Sequence, residues 1–241
     1  MSGDSKQLGP LIKSTIARDG GYKSLIERLM DTKGYDCSED GYNNNYIVML
    51  LENYRSHPAL LTLPSKLFYN NMLVPCADIE EVSSCLSFSG LTESAKGKIP
   101  LVFHGVMGTE MREERSPSYF NPYELEVVIL YVGKLLDEGI KPEEIAIISP
   151  YNKQVQKIKE VVELYNLGNV SVGSVETFQG QERKVVIIST SRSSNNYLLP
   201  DGEYLSGFLK SEKRFNVSIT RAKSLLIIVG NPLILKQVNL I

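Results

Sequence analysis

The sequence predicts a doubly wound α/β fold, in which helices cover both faces of a mostly parallel sheet. The first observation is a set of five short apolar runs, at 101–103, 145–149, 170–175, 185–189 and 225–229. They are apolar at consecutive positions, which is typical of strands buried on both faces of a parallel sheet. The second observation is that segments with helical spacing alternate with these runs. The third is that 241 residues suffice for one large α/β domain or two small ones.

Two of the helical segments have recognisable beginnings. Asn121 precedes Pro122, a residue favoured in the first helical turn. The apolar spacing continues from there to Leu136, and Gly139 then offers a stop. The second helix is predicted to begin at Pro150, with an apolar face that comprises Val155, Ile158, Val162 and Leu164. Because ligands of doubly wound sheets collect at the carboxyl ends of the strands, we expect the functional residues there.

Composition and charge exclude several classes of protein. The formal net charge is −2, so a generally basic nucleic-acid binder is not expected and any such contact must come from a local groove. The chain has no run of about 18 apolar residues, which argues against a membrane span. Three scattered cysteines and two histidines predict neither a disulfide scaffold nor a zinc site, and we expect no metal ligands in this chain. Reduced thiols favour a cytoplasmic location.

Two blocks place arginines where they could bind phosphate. In block 53–58, the planar fork of Arg55 can hold phosphate oxygens bidentately, and Tyr54 offers a ring for stacking on a nucleobase. Block 214–223 presents Arg221 just before a strong apolar run. The alternatives are a buried tyrosine with a surface arginine for the first block and a solvated basic face for the second.

Polar residues follow two of the predicted strands. In block 173–182, glycines let the backbone approach an anion closely, and Ser174 and Thr177 are suitable hydrogen-bond donors to phosphate. Glu182 can accept hydrogen bonds from ribose hydroxyls. The alternative is a strand that ends in a polar turn.

The segment from Ser149 through Pro150 to Tyr151 ends one strand and begins a helix. The free N–H groups of a helix start favour phosphate, and Tyr151 offers a stacking face. An ordinary helix cap explains this segment equally well. In block 3–10, Gln7 could sense a γ-phosphate or orient an attacking water, although a polar loop would also account for it.

Together and in this order, these blocks resemble the C-terminal half of a superfamily 1 helicase motor of the Upf-like group. The resemblance spans nearly the whole chain, and the matching blocks are 3–10, 53–58, 149–151, 173–182 and 215–231. Within the group, segments 103–108, 116–122 and 207–210 look like the Armitage branch. Members of that branch are RNA helicases of small-RNA silencing, including the piRNA pathway.

The resemblance implies a RecA-like P-loop NTPase fold, here the second helicase lobe, and the use of ATP with Mg²⁺. It implies that Gln7 senses the γ-phosphate, that Arg55 contacts it and that Arg221 is the arginine finger. The implied cofactor-binding residues are Tyr54 at the adenine, Gly180 near the phosphates and Glu182 at the ribose. The implied RNA-binding residues are Ser149, Pro150, Tyr151, Ser174 and Thr177.

The chain departs from the family in one respect, because it contains neither a G-x-x-x-x-G-K-[ST] loop nor an acidic box for magnesium. We therefore expect it to be part of a longer protein whose first lobe carries the magnesium ligands, and we expect no ATPase activity from the chain alone. Residues 1–50 are predicted to be the tail of that first lobe, with the Gly-Asp-x-x-Gln-Leu motif. Residues 51–241 are predicted to be the second lobe, with an irregular insertion at about 70–98.

Three functional hypotheses follow. The first is an ATP-dependent 5′-to-3′ RNA helicase or translocase that remodels ribonucleoproteins in piRNA-type silencing. Its partners would be single-stranded RNA, the first lobe and Piwi/Argonaute-type proteins, in the cytoplasm or in ribonucleoprotein granules. The second is a non-catalytic module that docks RNA or protein. The third is a DNA helicase of the same superfamily, because contacts to a backbone separate RNA from DNA poorly.

Overall fold

Five parallel strands form the central sheet of the computed structural model, which describes residues 2–10, 12–16, 21–35, 42–43, 45–94, 97–113, 118–193 and 211–236. In these ranges the strands, in chain order, are β1 (Glu52–Asn53), β2 (Val74–Pro75), β3 (Glu93–Ser94), β4 (Gly97–Lys98), β5 (Leu101–Gly105), β6 (Met111–Arg112), β7 (Tyr119–Phe120), β8 (Ile145–Ile148), β9 (Ser171–Gly173), β10 (Arg183–Ser189) and β11 (Ala222–Gly230). The helices are α1 (Leu25–Met30), α2 (Pro58–Phe68), α3 (Ile79–Val82), α4 (Pro122–Asp137), α5 (Asn152–Leu164), α6 (Glu212–Ile219) and α7 (Pro232–Lys236).

The strand order across the central sheet is β5, β11, β10, β8 and β9, and every neighbouring pair is parallel. All five predicted strands are therefore present in one sheet. The remaining strands form two-residue pairs outside it, β1 with β2, β3 with β4 and β6 with β7. The predicted fold class, an α/β fold with a mostly parallel sheet, is confirmed.

Both faces of the sheet are buried, because successive side chains of a strand point to opposite faces. On one face, Ile147 and Ile187 lie in a cluster with residues of α4 and α5. On the other, Ile148 and Ile188 lie in a cluster with residues of α2 and α6. Burying each such side chain contributes about 1.5–3 kcal/mol, which explains why the strands are apolar at consecutive positions.

Helix α4 begins and ends where the sequence indicates. The side chain of Asn121 accepts hydrogen bonds from the backbone N–H groups of Tyr123 at 3.1 Å and Glu124 at 3.3 Å, and Pro122 occupies the first turn. Beyond the helix, Gly139 has a positive φ of 85°, a conformation that glycine adopts without strain.

Helix α5 differs from the prediction in two details. It begins at Asn152 with Tyr151 as its N-cap, two residues later than expected. The prediction that Leu164 belongs to the apolar face is wrong, since this residue is 74% exposed at the end of the helix. The packed face consists of Val155, Ile158 and Val162, which are buried as predicted.

The segment predicted to be an irregular insertion, at about 70–98, packs partly against the core. Regular structure is limited to the single-turn helix α3 and short strands, which is why the sequence shows weak periodicity. Its buried side chains are Val82, Cys85, Phe88 and Leu91, and the ring of Phe88 lies 6.4 Å from that of Tyr131 on α4. The division of the chain at residue 50 stays a prediction.

None of the helices in the described part of the chain is both long enough and apolar enough to cross a membrane.

Candidate functional site

The residues implied to bind nucleotide lie at the amino ends of β10 and β11, and not at the carboxyl ends as the general rule for doubly wound sheets predicted. Glu182 immediately precedes β10, and Arg221 immediately precedes β11. Arg55 reaches the same place because its own segment is bound to the start of β11. Ser56 Oγ donates to the carbonyl of Ala222 at 2.8 Å, and the backbone N–H of His57 donates to the carbonyl of Lys223 at 2.8 Å.

Arg55 and Lys223 share the carboxylate of Glu182. Arg55 Nε donates to Glu182 Oε2, and Lys223 Nζ lies 3.2 Å from Glu182 Oε1. Arg55 Nη1 also donates to the carbonyl of Thr220 at 3.4 Å. Partial burial acts to raise the pKa of Glu182, but the hydrogen bonds and charges of Arg55 and Lys223 outweigh it and hold that pKa below its usual value. The carboxylate is therefore charged at neutral pH.

Arg221 is almost completely buried, with 2% of its surface exposed. It donates to the carbonyl of Val217 at 3.0 Å, to the carbonyl of Gln181 at 3.2 Å and to Thr220 Oγ1 at 2.8 Å. Burial, and next the positive charge of Arg55, lower the pKa of Arg221 to about 10, so its guanidinium stays charged at neutral pH. The alternative of a solvated basic face is thus wrong for this arginine.

Arg55 and Lys223 thus bring two cations to Glu182 at this edge of the sheet, and Lys223 Nζ also lies 3.8 Å from Glu81 Oε1. Tyr54 lies next to Arg55 with 69% of its surface exposed, and its hydroxyl donates to Glu52. Gly180 is exposed and has a positive φ of 78°. The arrangement can accept an anionic ligand on Arg55 and Lys223 beside an exposed aromatic ring.

Gln7 is connected to the end of helix α2 through Asp4, three residues before it in the sequence. Gln7 Nε2 donates to Asp4 Oδ2 at 2.9 Å, and the hydroxyl of Tyr69, at the end of α2, donates to the same oxygen at 2.7 Å. Gln179 Nε2 donates to the carbonyl of Leu8 at 2.9 Å. These contacts attach the N-terminal motif to α2 and to the turn before β10.

The residues implied to bind RNA lie at the opposite edge, at the carboxyl ends of β8 and β9. Ser174 and Thr177 follow β9, and Thr177 Oγ1 donates to the carbonyl of Ser174 at 2.8 Å while the residue stays exposed. Gly173 brings the backbone close to Thr177, because a Cβ atom built on that glycine would collide with Thr177 Oγ1.

The turn after β8 is largely buried. Ser149 is fully buried and its hydroxyl lies 3.1 Å from the hydroxyl of Ser191, while Pro150 is also buried. The ring of Tyr151 packs edge-on against that of Tyr119, with centroids 5.9 Å apart. This turn is joined to the end of β9, because the N–H of Ser149 donates to the carbonyl of Gly173 at 3.1 Å. The hydroxyl of Ser149 is turned inward, and the contact of the turn with RNA stays a prediction.

A buried polar network that the sequence did not indicate supports this carboxyl edge. Glu124, on the first turn of α4, accepts hydrogen bonds from Ser189 Oγ at 2.7 Å, Thr190 Oγ1 at 3.3 Å and the N–H of Ser191 at 2.8 Å. Burial raises the pKa of Glu124 to about 7, although these donors act in the opposite direction. Ser191 has a positive φ of 65°, which is uncommon for a serine and is held by these contacts.

The described ranges contain no group of three or more His, Cys, Asp or Glu side chains that could hold a metal ion.

Comparison with known proteins identifies the family. A family model described as an AAA domain matches residues 22–233. RNA helicase Mov10l1 of Mus musculus is 46% identical to this chain, with 98% of the chain and 20% of that protein covered. The protein named Probable RNA helicase armi, of Drosophila melanogaster, is 36% identical, with 96% of the chain and 21% of that protein covered. The chain thus spans about a fifth of the length of these relatives. It belongs to the AAA-domain family, among the Upf-like superfamily 1 helicases, as its resemblance to the second RecA-like lobe and to the Armitage branch predicted.

Proposed function

We propose that this chain is the second motor lobe of an ATP-dependent RNA helicase and that it supplies Arg55 and Arg221 to the ATP site. The observation that carries the proposal is that Arg55 and Lys223 both pair with Glu182 while Arg221 donates to the carbonyl of the preceding residue, Gln181, at the amino ends of β10 and β11. These residues come from segments up to 168 positions apart in the printed sequence, from Arg55 to Lys223. The names of the relatives support RNA as the nucleic acid.

The residues present fit a nucleoside triphosphate. The side chains of Arg55 and Lys223 can bind the oxygens of a triphosphate, and the exposed ring of Tyr54 can stack on the adenine. ATP, when bound, supplies the phosphoanhydride bond that is hydrolysed. Arg55 binds oxygens of the γ-phosphate in competition with Glu182, and Arg221 stabilises negative charge that develops there. Glu182, released from Arg55, can accept from the ribose hydroxyls.

Gln7 and the backbone of Gly180 complete the side of the site that this chain supplies. Gln7 orients the attacking water or senses the γ-phosphate, and the positive φ of Gly180 exposes its backbone next to the phosphates. Magnesium ligands and the phosphate-cradling loop lie, in this proposal, in another part of a longer protein. The greater length of the relatives supports this, since the chain spans about a fifth of each.

RNA occupies the opposite edge of the sheet in this proposal. Ser174 and Thr177 contact its backbone, together with the turn formed by Ser149, Pro150 and Tyr151. Movement of the lobes with each ATP cycle then drives translocation in the 5′-to-3′ direction along single-stranded RNA. We further propose a role in piRNA-type silencing with Piwi/Argonaute-type partners, and a location in the cytoplasm or its ribonucleoprotein granules.

A second candidate function is a docking module that binds RNA or protein without turnover. The absence of a G-x-x-x-x-G-K-[ST] loop from the sequence favours this function for the chain by itself. A DNA helicase of the same superfamily is the remaining alternative, and a comparison of RNA with DNA as the stimulating strand separates the two.

The test is ATP hydrolysis by the full-length protein in the presence of single-stranded RNA. Replacing the arginine finger, Arg221→Ala, is expected to lower the rate about 10³-fold or more while RNA affinity changes little. The control is Lys159→Ala, which removes an exposed cation from α5, and it is expected to keep the wild-type rate. Near-normal turnover in Arg221→Ala would contradict the proposal, and so would the absence of RNA-stimulated hydrolysis in the wild type.

A further inference from the structure

Asp4 is the centre of a hydrogen-bonded chain that begins at Gln7. Its Oδ2 accepts from Gln7 Nε2 at 2.9 Å, and its Oδ1 accepts from the backbone N–H of Lys6 at 2.8 Å. The backbone N–H of Gln7 also donates to the carbonyl of Asp4 at 3.2 Å. One aspartate therefore holds both the side chain of Gln7 and the backbone that carries it.

Tyr69 and Asn216 extend this chain into the helices of the lobe. The hydroxyl of Tyr69 donates to Asp4 Oδ2 at 2.7 Å and accepts from Asn216 Nδ2 at 2.9 Å. Asn216 Nδ2 also donates to the carbonyl of Lys6 at 2.9 Å, and Asn216 is fully buried on α6. Burial, and next the bond to Asp4, raise the pKa of Tyr69 to about 12, so the hydroxyl keeps its proton near neutral pH.

A second set of hydrogen bonds connects the backbone of Asn216 to Arg221. The backbone carbonyl of Asn216 accepts from Thr220 Oγ1 at 2.7 Å. Thr220 Oγ1 in turn accepts from Arg221 Nη2 at 2.8 Å. Each hydroxyl in the chain donates its proton on one side and accepts on the other, so the directions of the bonds are mutually consistent.

We propose that Asp4, Tyr69 and Asn216 are positioning residues, which fix Gln7 at a set place relative to Arg221. This inference rests on the proposed function, because the roles of Gln7 and Arg221 at the γ-phosphate belong to it. Gln7 lies in an N-terminal motif far from Arg221 in sequence. These hydrogen bonds, together with the backbone of Asn216, hold the two residues at a fixed separation. Groups that act on one phosphate require such support, since small displacements of a catalytic group lower the rate strongly.

The test compares Tyr69→Phe with wild type in RNA-stimulated ATP hydrolysis by the full-length protein. Removing this one hydroxyl breaks the bonds to Asp4 and to Asn216 and leaves the ring in place. We expect kcat to fall about tenfold, with the KM for ATP and the affinity for RNA within about twofold of wild type. Asp4→Asn, which removes the charged acceptor of Gln7, is expected to lower kcat in the same way.

A double-mutant comparison separates positioning from a general effect on stability. In a Gln7→Ala background, Tyr69→Phe is expected to change kcat less than about twofold, because the group that it positions is gone. The matched control is Tyr165→Phe, at the exposed end of α5 with 63% of its surface exposed, which is expected to leave kcat unchanged.

Three results would overturn the inference. Wild-type kcat in both Tyr69→Phe and Asp4→Asn, alongside a defective Gln7→Ala, would reject the positioning role and leave the proposed function standing. An equal loss from Tyr69→Phe with and without Gln7 would show that the hydroxyl acts elsewhere. Absence of RNA-stimulated hydrolysis in the wild type would reject the proposed function and this inference with it.

Discussion

Glu124 makes the stability of this chain depend on pH in a way that one substitution removes. Its carboxyl group is fully buried among neutral donors at the end of β10 and just after it, and burial raises its pKa from 4.5 to about 7. Between pH 4.5 and about 7, the folded state therefore keeps the proton that the unfolded state releases. The contribution to stability is therefore fully present below pH 4.5 and is lost as the pH rises through 7.

The change in pKa sets the size of the effect. Raising the pKa of a carboxyl group from 4.5 to about 7 corresponds to about 3 kcal/mol between pH 4.5 and pH 8. Glu124→Gln is similar in shape, stays neutral, and can still accept from Ser189 and Ser191. We therefore expect the wild type to lose about 3 kcal/mol of unfolding free energy relative to Glu124→Gln over that pH interval.

The assay is denaturant unfolding of this chain and of Glu124→Gln at a series of pH values. His57 titrates in the same range, and burial lowers its pKa, so it makes the folded state less stable as the pH falls. Its contribution is the same in both variants and cancels in their difference. Parallel curves of unfolding free energy against pH for the two variants would refute a raised pKa for Glu124.

Three glycines give the remaining predictions. Gly180→Ala is expected to lower the unfolding free energy by about 1–2 kcal/mol, because alanine is strained at a φ of 78°. The control is Gly133→Ala, on α4 with open space around its Cβ position, which should raise the unfolding free energy by about 1 kcal/mol. Chemical denaturation measures both, and equal effects of the two substitutions would contradict the reasoning. Gly173→Ala is expected to displace Thr177 and weaken single-stranded RNA binding by about 1 kcal/mol without changing the affinity for an ATP analogue. Unchanged RNA affinity in a filter-binding titration would count against RNA binding at the carboxyl ends of β8 and β9.

The sheet was predictable from the sequence because its strands are buried on both faces. Runs such as 145–149 are apolar at consecutive positions, and in the structure all four residues of β8 are buried. The beginning of α4 was equally predictable, since the cap at Asn121 is a local interaction between adjacent residues. Local signals of this kind do not depend on distant parts of the chain.

The location of the candidate site was only partly predictable. Ser174 lies at the carboxyl end of a strand, where ligands of such sheets usually bind, whereas Arg55, Glu182 and Arg221 lie at the amino ends of β10 and β11. Arg55 reaches the amino end of β11 through hydrogen bonds from Ser56 and His57, and such long-range contacts leave no local pattern. The motif resemblance assigns these residues to one site, and the structure places them at one edge of the sheet, while their roles at a nucleotide stay a prediction.

Residues that support the site were missed for a related reason. Glu124 reads as an ordinary acidic residue in the first turn of a helix, and Tyr69 as an aromatic residue at a helix end. Their importance appears only when Ser189 and Ser191, or Asp4 and Asn216, are brought beside them by the fold. Lys223 carried a weak signal, since it lies two residues after Arg221 at the start of the same strand.

Hydrogen–deuterium exchange of the full-length protein, with and without an ATP analogue or single-stranded RNA, tests the central claim most directly. We expect the analogue to protect the backbone amides around Arg55, Gly180 and Arg221 from exchange, at the amino ends of β10 and β11. We expect RNA to protect the segments around Tyr151 and Ser174 at the opposite edge. Protection of the carboxyl edge by the nucleotide, or no protection near the two arginines, would contradict the account.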